Sequence, residues 1–240
     1  VSIYYDTPAL DLARRRMGLR LRQQGSQWIQ TVKFGQKGGG GKTTTGTGLA
    51  VEAARADLAA LVIDLDPQAN AANWKDRREA DNPTVVAAPA SRLRPTLEAA
   101  RQHGAQFVVI DTPAKSDSAA LDAARVADLV LIPVWPQIYH LETLPVMKDL
   151  LRIAGDVPAY VVLNALPPQA TRQADEAKSM IAEIYGLPAC PVHLCDRTIY
   201  ADAPALGKGP QEVDPYGKAA DELARLYTFV IQHSKGIPHG

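Results

Sequence analysis

Apolar residues along this chain follow two different rhythms. From residue 34 to residue 233, short apolar runs alternate with longer stretches in which apolar positions return every three or four residues. The runs Leu61-Val62-Ile63-Asp64-Leu65, Phe107-Val108-Val109-Ile110, Leu129–Val134 and Tyr160–Leu163 have the length and β-branched content of buried strands. Asn82–Ala88 and Pro188–Leu194 are weaker strand candidates. The helical period predicts helices over Thr43–Arg55, Ser91–His103, Ser118–Val126, Leu141–Ile153, Gln169–Tyr185 and Lys218–Gln232. In the last of these Leu223, Leu226, Tyr227 and Val230 share one stripe, as core-packing residues do. Strand–helix alternation of this kind predicts an α/β fold: a doubly wound, mostly parallel sheet flanked by helices. Before residue 34 the period is two, in Leu19-Arg20-Leu21-Arg22 and Trp28–Lys33, which predicts a short basic β-rich appendage. Residues 234–240 read as a C-terminal tail.

A chain of 240 residues with 46% hydrophobic content suits one such domain and argues against global disorder. Basic and acidic residues balance at 26 each, so bulk charge offers no argument for a nucleic-acid partner. The balance is uneven along the chain. Residues 1–33 carry Arg14, Arg15, Arg16, Arg20, Arg22 and Lys33 against Asp6 and Asp11, which leaves 20 basic and 24 acidic residues beyond that seam. With Val1 first, the chain reads as starting inside a longer frame. Cys190 and Cys195 have neither zinc-finger nor Cys-x-x-Cys spacing and read as reduced structural thiols of a cytoplasmic protein. No apolar run reaches the about 18 residues of a membrane span, so no membrane partner is expected.

The candidate chemistry centres on Gln36-Lys37-Gly38-Gly39-Gly40-Gly41-Lys42-Thr43-Thr44-Thr45. Glycines let backbone N–H groups converge on phosphate oxygens where a Cβ would block the approach. Lys42 would reach the β- and γ-phosphates, Thr43 would hold Mg²⁺, and the helix that follows would point its positive end at the anion. Read otherwise, a Gly-rich stretch with lysine is a flexible linker. Two predicted strands end in carboxylates, at Asp64-Leu65-Asp66-Pro67-Gln68 and at Asp111-Thr112-Pro113. In open α/β sheets, ligands bind at the carboxyl ends of strands, which puts these residues at the site. Asp111 would contact Mg²⁺ through water. Asp66 either serves the reaction or caps a helix starting near Gln68. Asn164, ending a strand, either recognises a base or caps a turn before Pro167-Pro168.

Lys37-Gly38-Gly39-x-Gly41-Lys42-Thr43-Thr44 resembles the deviant Walker A loop of the ParA/MinD family of dimeric ATPases, and Gln36 resembles its ParA branch. Asp64-x-Asp66-Pro67-Gln68 and the apolar strand ending at Asp111 are similar to the patterns that follow in that family. The resemblance runs roughly from Gln36 to Gln232 and implies a phosphate-loop NTPase fold with ATP and Mg²⁺ as ligands. It implies that Gly38–Thr44 surround the phosphates, Asp66 orients the attacking water and Asn164 meets the adenine edge. It also implies an ATP-dependent homodimer, in which Lys37 reaches the partner's phosphates. Plasmid or chromosome partition would follow, with non-specific DNA as a partner, nucleoid association in the cytoplasm, and a centromere-binding partner protein that stimulates slow hydrolysis. Arg197 and Lys218, in a stretch similar to the end of small ParA proteins, are either DNA contacts or ordinary solvated charges. The final helix lacks the basic amphipathic tip of MinD-like proteins. A MinD-like cargo- or membrane-positioning ATPase and a hydrolysis-impaired nucleotide-binding chimera are the alternatives.

Tyr4–Lys33 resembles part of a CYTH domain, a β-tunnel that binds triphosphates, with Arg20, Arg22 and Lys33 at matching basic positions. The acidic strand that should precede it and the later strands are missing, so no tunnel activity is expected. The ParA-like core calls for a strand just before Lys37, and Trp28–Gly35 is the segment on offer. It is more polar than a buried parallel strand should be.

Overall fold

The computed structural model describes residues 2–5, 17–24 and 27–34 as strand backbone and residues 41–113, 116–136, 141 and 143–234 in full. The chain divides into two compact units, Val1–Gly39 and Gly40–Gly240.

In the first unit β1 (Ser2–Tyr5), β2 (Met17–Gln24) and β3 (Gln27–Phe34) form an antiparallel sheet in the order β1-β2-β3. Leu19 of β2 stands between Tyr5 and Val32, and Arg20 between Tyr4 and Thr31. The segment on offer as the opening parallel strand therefore runs antiparallel to β2. Its alternation of polar and apolar residues is unlike the unbroken apolar run of a parallel strand.

The second unit alternates strands and helices. It runs α1 (Lys42–Arg55), β4 (Ala60–Asp64), α2 (Asn70–Asp76), β5 (Thr84–Ala87), α3 (Leu93–Gln102), β6 (Phe107–Asp111) and α4 (Asp117–Ala124). Then come β7 (Val130–Val134), α5 (Leu144–Ala154), β8 (Ala159–Leu163), α6 (Thr171–Met180), α7 (Ile199–Ala205), α8 (Pro210–Val213) and α9 (Lys218–His233). All strand pairs here are parallel, in two ladders ordered β5-β4-β6 and β7-β8. Strand β4 is buried along its whole length, as its unbroken apolar run requires. Among the described residues β6 and β7 are not paired with each other.

One apolar cluster joins the two ladders. Leu49 and Ala53 of α1, Phe107 of β6, Val162 of β8, Leu194, and Leu223, Leu226 and Val230 of α9 pack together. The stripe read from α9 thus closes over α1, and Phe107 tilts against Tyr227 with ring centroids 5.6 Å apart.

Pro188–Leu194, expected as a last strand, is not one. It runs beside β8, with the Cys190 N–H bonding the Val161 carbonyl at 2.8 Å and the Leu194 N–H bonding the Leu163 carbonyl at 2.9 Å. Pro188 and Pro191 have no N–H, so a continuous ladder does not form and isolated bridges remain.

Candidate functional site

The site is built where α1 begins and where β4, β6 and β8 end. Gly41 precedes α1 with φ +82°, the left-handed region, and a Cβ there would overlap the Asn164 amide. Both constraints select glycine. The Thr45 N–H bonds the Gly41 carbonyl at 2.9 Å and closes the first helical turn. Lys42 is the first residue of α1, and Thr43 and Thr44 follow, half-buried. The Thr43 hydroxyl donates to Asp111 Oδ2 at 2.6 Å, which ties the helix start to the end of β6. Lys37, Gly38, Gly39 and Gly40 lie outside the described residues.

Asp64 and Asp111 are partners in the β4–β6 register and are both buried. Asp64 accepts from the Asp66 N–H at 3.0 Å through Oδ1, and from the Ala71 and Ala72 N–H groups at 2.9 and 3.1 Å through Oδ2. It is therefore the anchor of the first turn of α2. Asp66 is half-buried on the connecting loop, and its Oδ1 accepts from the Gln68 N–H at 2.9 Å. Helix α2 starts later than expected, at Asn70, and its first turn is tied to Asp64, so Asp66 closes a local turn and caps no helix.

Burial pushes the Asp111 carboxyl up to about 6, and the neighbouring charges of Asp64 and Asp66 add to the rise. The Thr43 hydrogen bond and the Lys42 charge pull the other way. A carboxylate so crowded favours a cation. The hydroxyl of Thr43 and the carboxylate of Asp111 are hard oxygen donors, the kind that Mg²⁺ prefers when phosphates and waters complete its shell. The residues present thus fit that metal.

Asn164 follows β8. Its N–H bonds the Val134 carbonyl at 2.8 Å, and its Oδ1 accepts from the Ala165 N–H at 2.8 Å. The structure thus brings Gly41, Lys42, Thr43, Thr44, Asp66, Asp111 and Asn164 to one end of the parallel strands.

Arg197 and Lys218 belong to a different place, around the start of α9. Arg197 donates through Nε and Nη2 to Glu222 Oε1 at 3.0 and 2.7 Å. Glu222 also accepts from the Cys195 N–H at 3.1 Å and the Tyr200 hydroxyl at 3.0 Å. Burial opposes its ionisation, yet these hydrogen bonds outweigh it and hold the carboxyl below the usual range. Lys218 is exposed, one turn before Glu222 on the same helix. Cys190 and Cys195 are buried free thiols, and burial pushes Cys190 up to about 11. No helix among the described residues is long and apolar enough to cross a membrane.

Sequence reasoning did not single out Glu222, Arg78, Gln211 or Glu212, all partly or wholly buried polar residues. Glu222 stands among small and apolar residues, which is a signal for a buried charge, whereas Arg78 stands in the charged run Lys75-Asp76-Arg77-Arg78-Glu79 and nothing in the sequence marks it.

Parallel strands ending in carboxylates beside a Gly-Lys-Thr helix start define a nucleotide-binding α/β domain. The chain belongs to the CobQ/CobB/MinD/ParA nucleotide-binding domain family, whose model matches residues 32–210, and is by class a ParA/MinD-type ATPase. It is 35% identical over 199 residues to maintenance of carboxysome distribution protein A of Gloeobacter kilaueensis, covering 82% of this chain and 89% of that one. It is 27% identical over 230 residues to the chromosome-partitioning ATPase Soj of Thermus thermophilus, covering 82% and 92%. The fold matches the septum site-determining protein MinD of Pyrococcus horikoshii, complexed with Mg-ADP, with a TM-score of 0.65 at 17% identity over 81% of this chain and 92% of that one. The family match begins at residue 32, so the CYTH-like reading of the preceding segment draws no support from it.

Proposed function

We propose that the chain is a ParA-type ATPase that couples slow ATP hydrolysis to dimerisation and non-specific DNA binding in plasmid or chromosome partition. The observation that carries the reading is the 2.6 Å contact between Thr43 and Asp111, beside Asp66 and at the mouth of the Gly-Lys-Thr helix. Gly38 to Gly41, Lys42 and Thr44 cradle the phosphates. Thr43, and Asp111 through water, would hold Mg²⁺, which would neutralise phosphate charge there. Asp66, free of any helix-capping duty, aligns the attacking water. Lys37, as in a deviant Walker A loop, extends to the phosphates of a second copy and supplies charge at the transition state. Asn164 takes the base edge. Lys218 is the exposed DNA contact, and Arg197, held by Glu222, is the second. A centromere-binding partner protein would stimulate turnover.

Cargo positioning is the second reading, favoured by the 35% identity to a carboxysome distribution protein. Both readings share an ATP-driven dimer and differ in what the partner protein carries.

The test is ATP turnover measured alongside size-exclusion mass with ATP–Mg²⁺ and with ADP. Slow turnover with a dimer only in ATP is the expected result. A monomer in both states without turnover would overturn the reading. DNA retention at low salt that is unchanged in Lys218→Glu would remove the DNA arm.

A further inference from the structure

Helix α2 spans seven residues, Asn70–Asp76, far below the length at which a helix holds itself together. Its order comes from packing, with Ala71 and Trp74 buried, and from what grips its two ends. At its start, Asp64 accepts the Ala71 and Ala72 N–H groups. At and just beyond its far end, a second set of bonds fastens Trp74, Arg77 and Arg78 to the segment between Pro204 and Glu212.

This second fastening is dense. The Trp74 indole N–H donates to the Lys208 carbonyl at 3.2 Å, and Arg77 Nε to the Pro204 carbonyl at 3.1 Å. The Arg78 side chain is only 3% exposed and meets Glu212 with both ends of its fork, Nη1 on Oε2 and Nη2 on Oε1, each at 2.7 Å. Nη1 also donates to the Gly207 carbonyl at 3.1 Å, and Nη2 to the Asn82 carbonyl at 2.9 Å. The guanidinium carbon lies 5.0 Å from the centre of the Trp74 ring. A planar fork bonded on both sides and stacked on an indole fixes orientation in a way that a lysine does not.

The same segment grips α1. Gln211, almost wholly buried, donates through Nε2 to the Gly48 carbonyl at 2.8 Å, and Arg55 Nη1 donates to the Gln211 carbonyl at 3.3 Å. Gly48 lies on the helix that begins with Lys42 and Thr43. The contacts therefore close a ring. It passes from Thr43 along α1 to Gln211, across to Glu212 and Arg78, and back through α2 to Asp64. From there it crosses the strand register to Asp111, which holds Thr43. Asp66 sits on the loop inside this ring, between its Asp64 anchor and α2.

We propose that Arg78, clamped by Glu212 and seated on Trp74, is a positioning residue that holds Asp66 at a fixed place relative to the phosphate-binding start of α1. The proposal rests on the reading of Asp66 as the residue that aligns the attacking water. Loosening the far end of α2 leaves the loop of Asp66 fastened at one side only. Nucleotide binding, made by α1 and Asp111, stays in place while the chemical step slows.

The experiment uses the full chain, well below the melting temperature of each variant. In Arg78→Lys, which keeps the charge and loses the fork, kcat falls about tenfold while KM for ATP shifts less than about twofold. The amides of Ala71 and Ala72 exchange with deuterium about tenfold faster, and those of Leu223 and Leu226 keep the parent's protection. Glu212→Gln, equal in shape, gives a weaker version of the same pattern. In an Asp66→Asn background, Arg78→Lys causes no further loss of kcat. Parent-like kcat and parent-like exchange at Ala71 and Ala72 in Arg78→Lys would overturn the proposal. So would a kcat loss of equal size with and without Asp66, since that is what a merely structural change produces. Should Asp66→Asn leave turnover intact, or the parent show none, the reading of Asp66 or of the ATPase fails by itself. Exchange at Ala71 and Ala72 then decides whether Arg78 fastens the loop.

Discussion

Asp64 and Asp111 end neighbouring strands at the same register, both are buried, and they do opposite things. Asp64 meets three backbone N–H groups and spends its charge on architecture, holding the turn that leads into α2. Asp111 meets the Thr43 hydroxyl, and burial with two carboxylates nearby raises it to about 6. Identical chemistry at adjacent positions thus divides into a satisfied anion that stabilises the fold and a crowded one that invites a cation. The partners decide the role.

The comparison can be broken from either side. Asp64→Ala leaves one buried and two part-buried N–H groups without their acceptor and is expected to cost about 4 kcal/mol, read as a lower urea midpoint. An unchanged midpoint would end the anchor assignment. Asp111→Asn should do the reverse in the absence of metal. The rise from 3.8 to about 6 means that ionising Asp111 in the fold costs about 3 kcal/mol at neutral pH, and the amide escapes most of that. A gain of about 2 kcal/mol in unfolding free energy is expected, paired with a loss of Mg²⁺-dependent turnover of about a hundredfold, the sign of a function–stability exchange. A variant that lost stability instead would place Asp111 with Asp64.

The pH dependence sharpens the same contrast. Because its folded value lies above its unfolded one, Asp111 is stability-neutral below about pH 4. Its destabilising contribution builds as pH rises through 6 and is then constant. On the proposed reading a protonated Asp111 serves Mg²⁺ less well, so Mg²⁺-dependent nucleotide affinity should weaken below pH 6 more steeply in the parent than in Asp111→Asn, where only the nucleotide's own phosphate titrates. Titration of nucleotide binding at fixed Mg²⁺ reads this directly. The smallest effect belongs to Thr43→Ser, which keeps the hydroxyl and should cost under about 1 kcal/mol in binding, whereas Thr43→Val removes the bond to Asp111.

Much of this was legible in the residues. The runs around Val62, Val109, Ile132 and Val162 read as buried parallel strands because strands covered on both faces lose their alternation, and all four are parallel strands. The carboxylates at the ends of two runs placed the site, since side chains there face the ligand edge of an open sheet. Which of Asp64, Asp66 and Asp111 is structural was not legible. That depends on where α2 begins, and a seven-residue helix gives too little periodicity to mark its first turn. Pro188–Leu194 misled for a local reason, because its apolar residues match a strand while its prolines withhold the donors of one. The Arg78–Glu212 and Arg197–Glu222 pairs span 134 and 25 residues, distances at which charge pattern carries no pairing information.

Those prolines have a consequence for life at high local concentration. Close crowding of copies brings the sheet margins of a protein repeatedly face to face. Strand β5 is bracketed by Pro83 and Pro89, and the stretch along β8 turns its donors inward at Cys190 and Leu194 and has none to give at Pro188 and Pro191. β5 is only four residues long and the stretch along β8 is interrupted by prolines, so each offers a foreign strand few donors in a row.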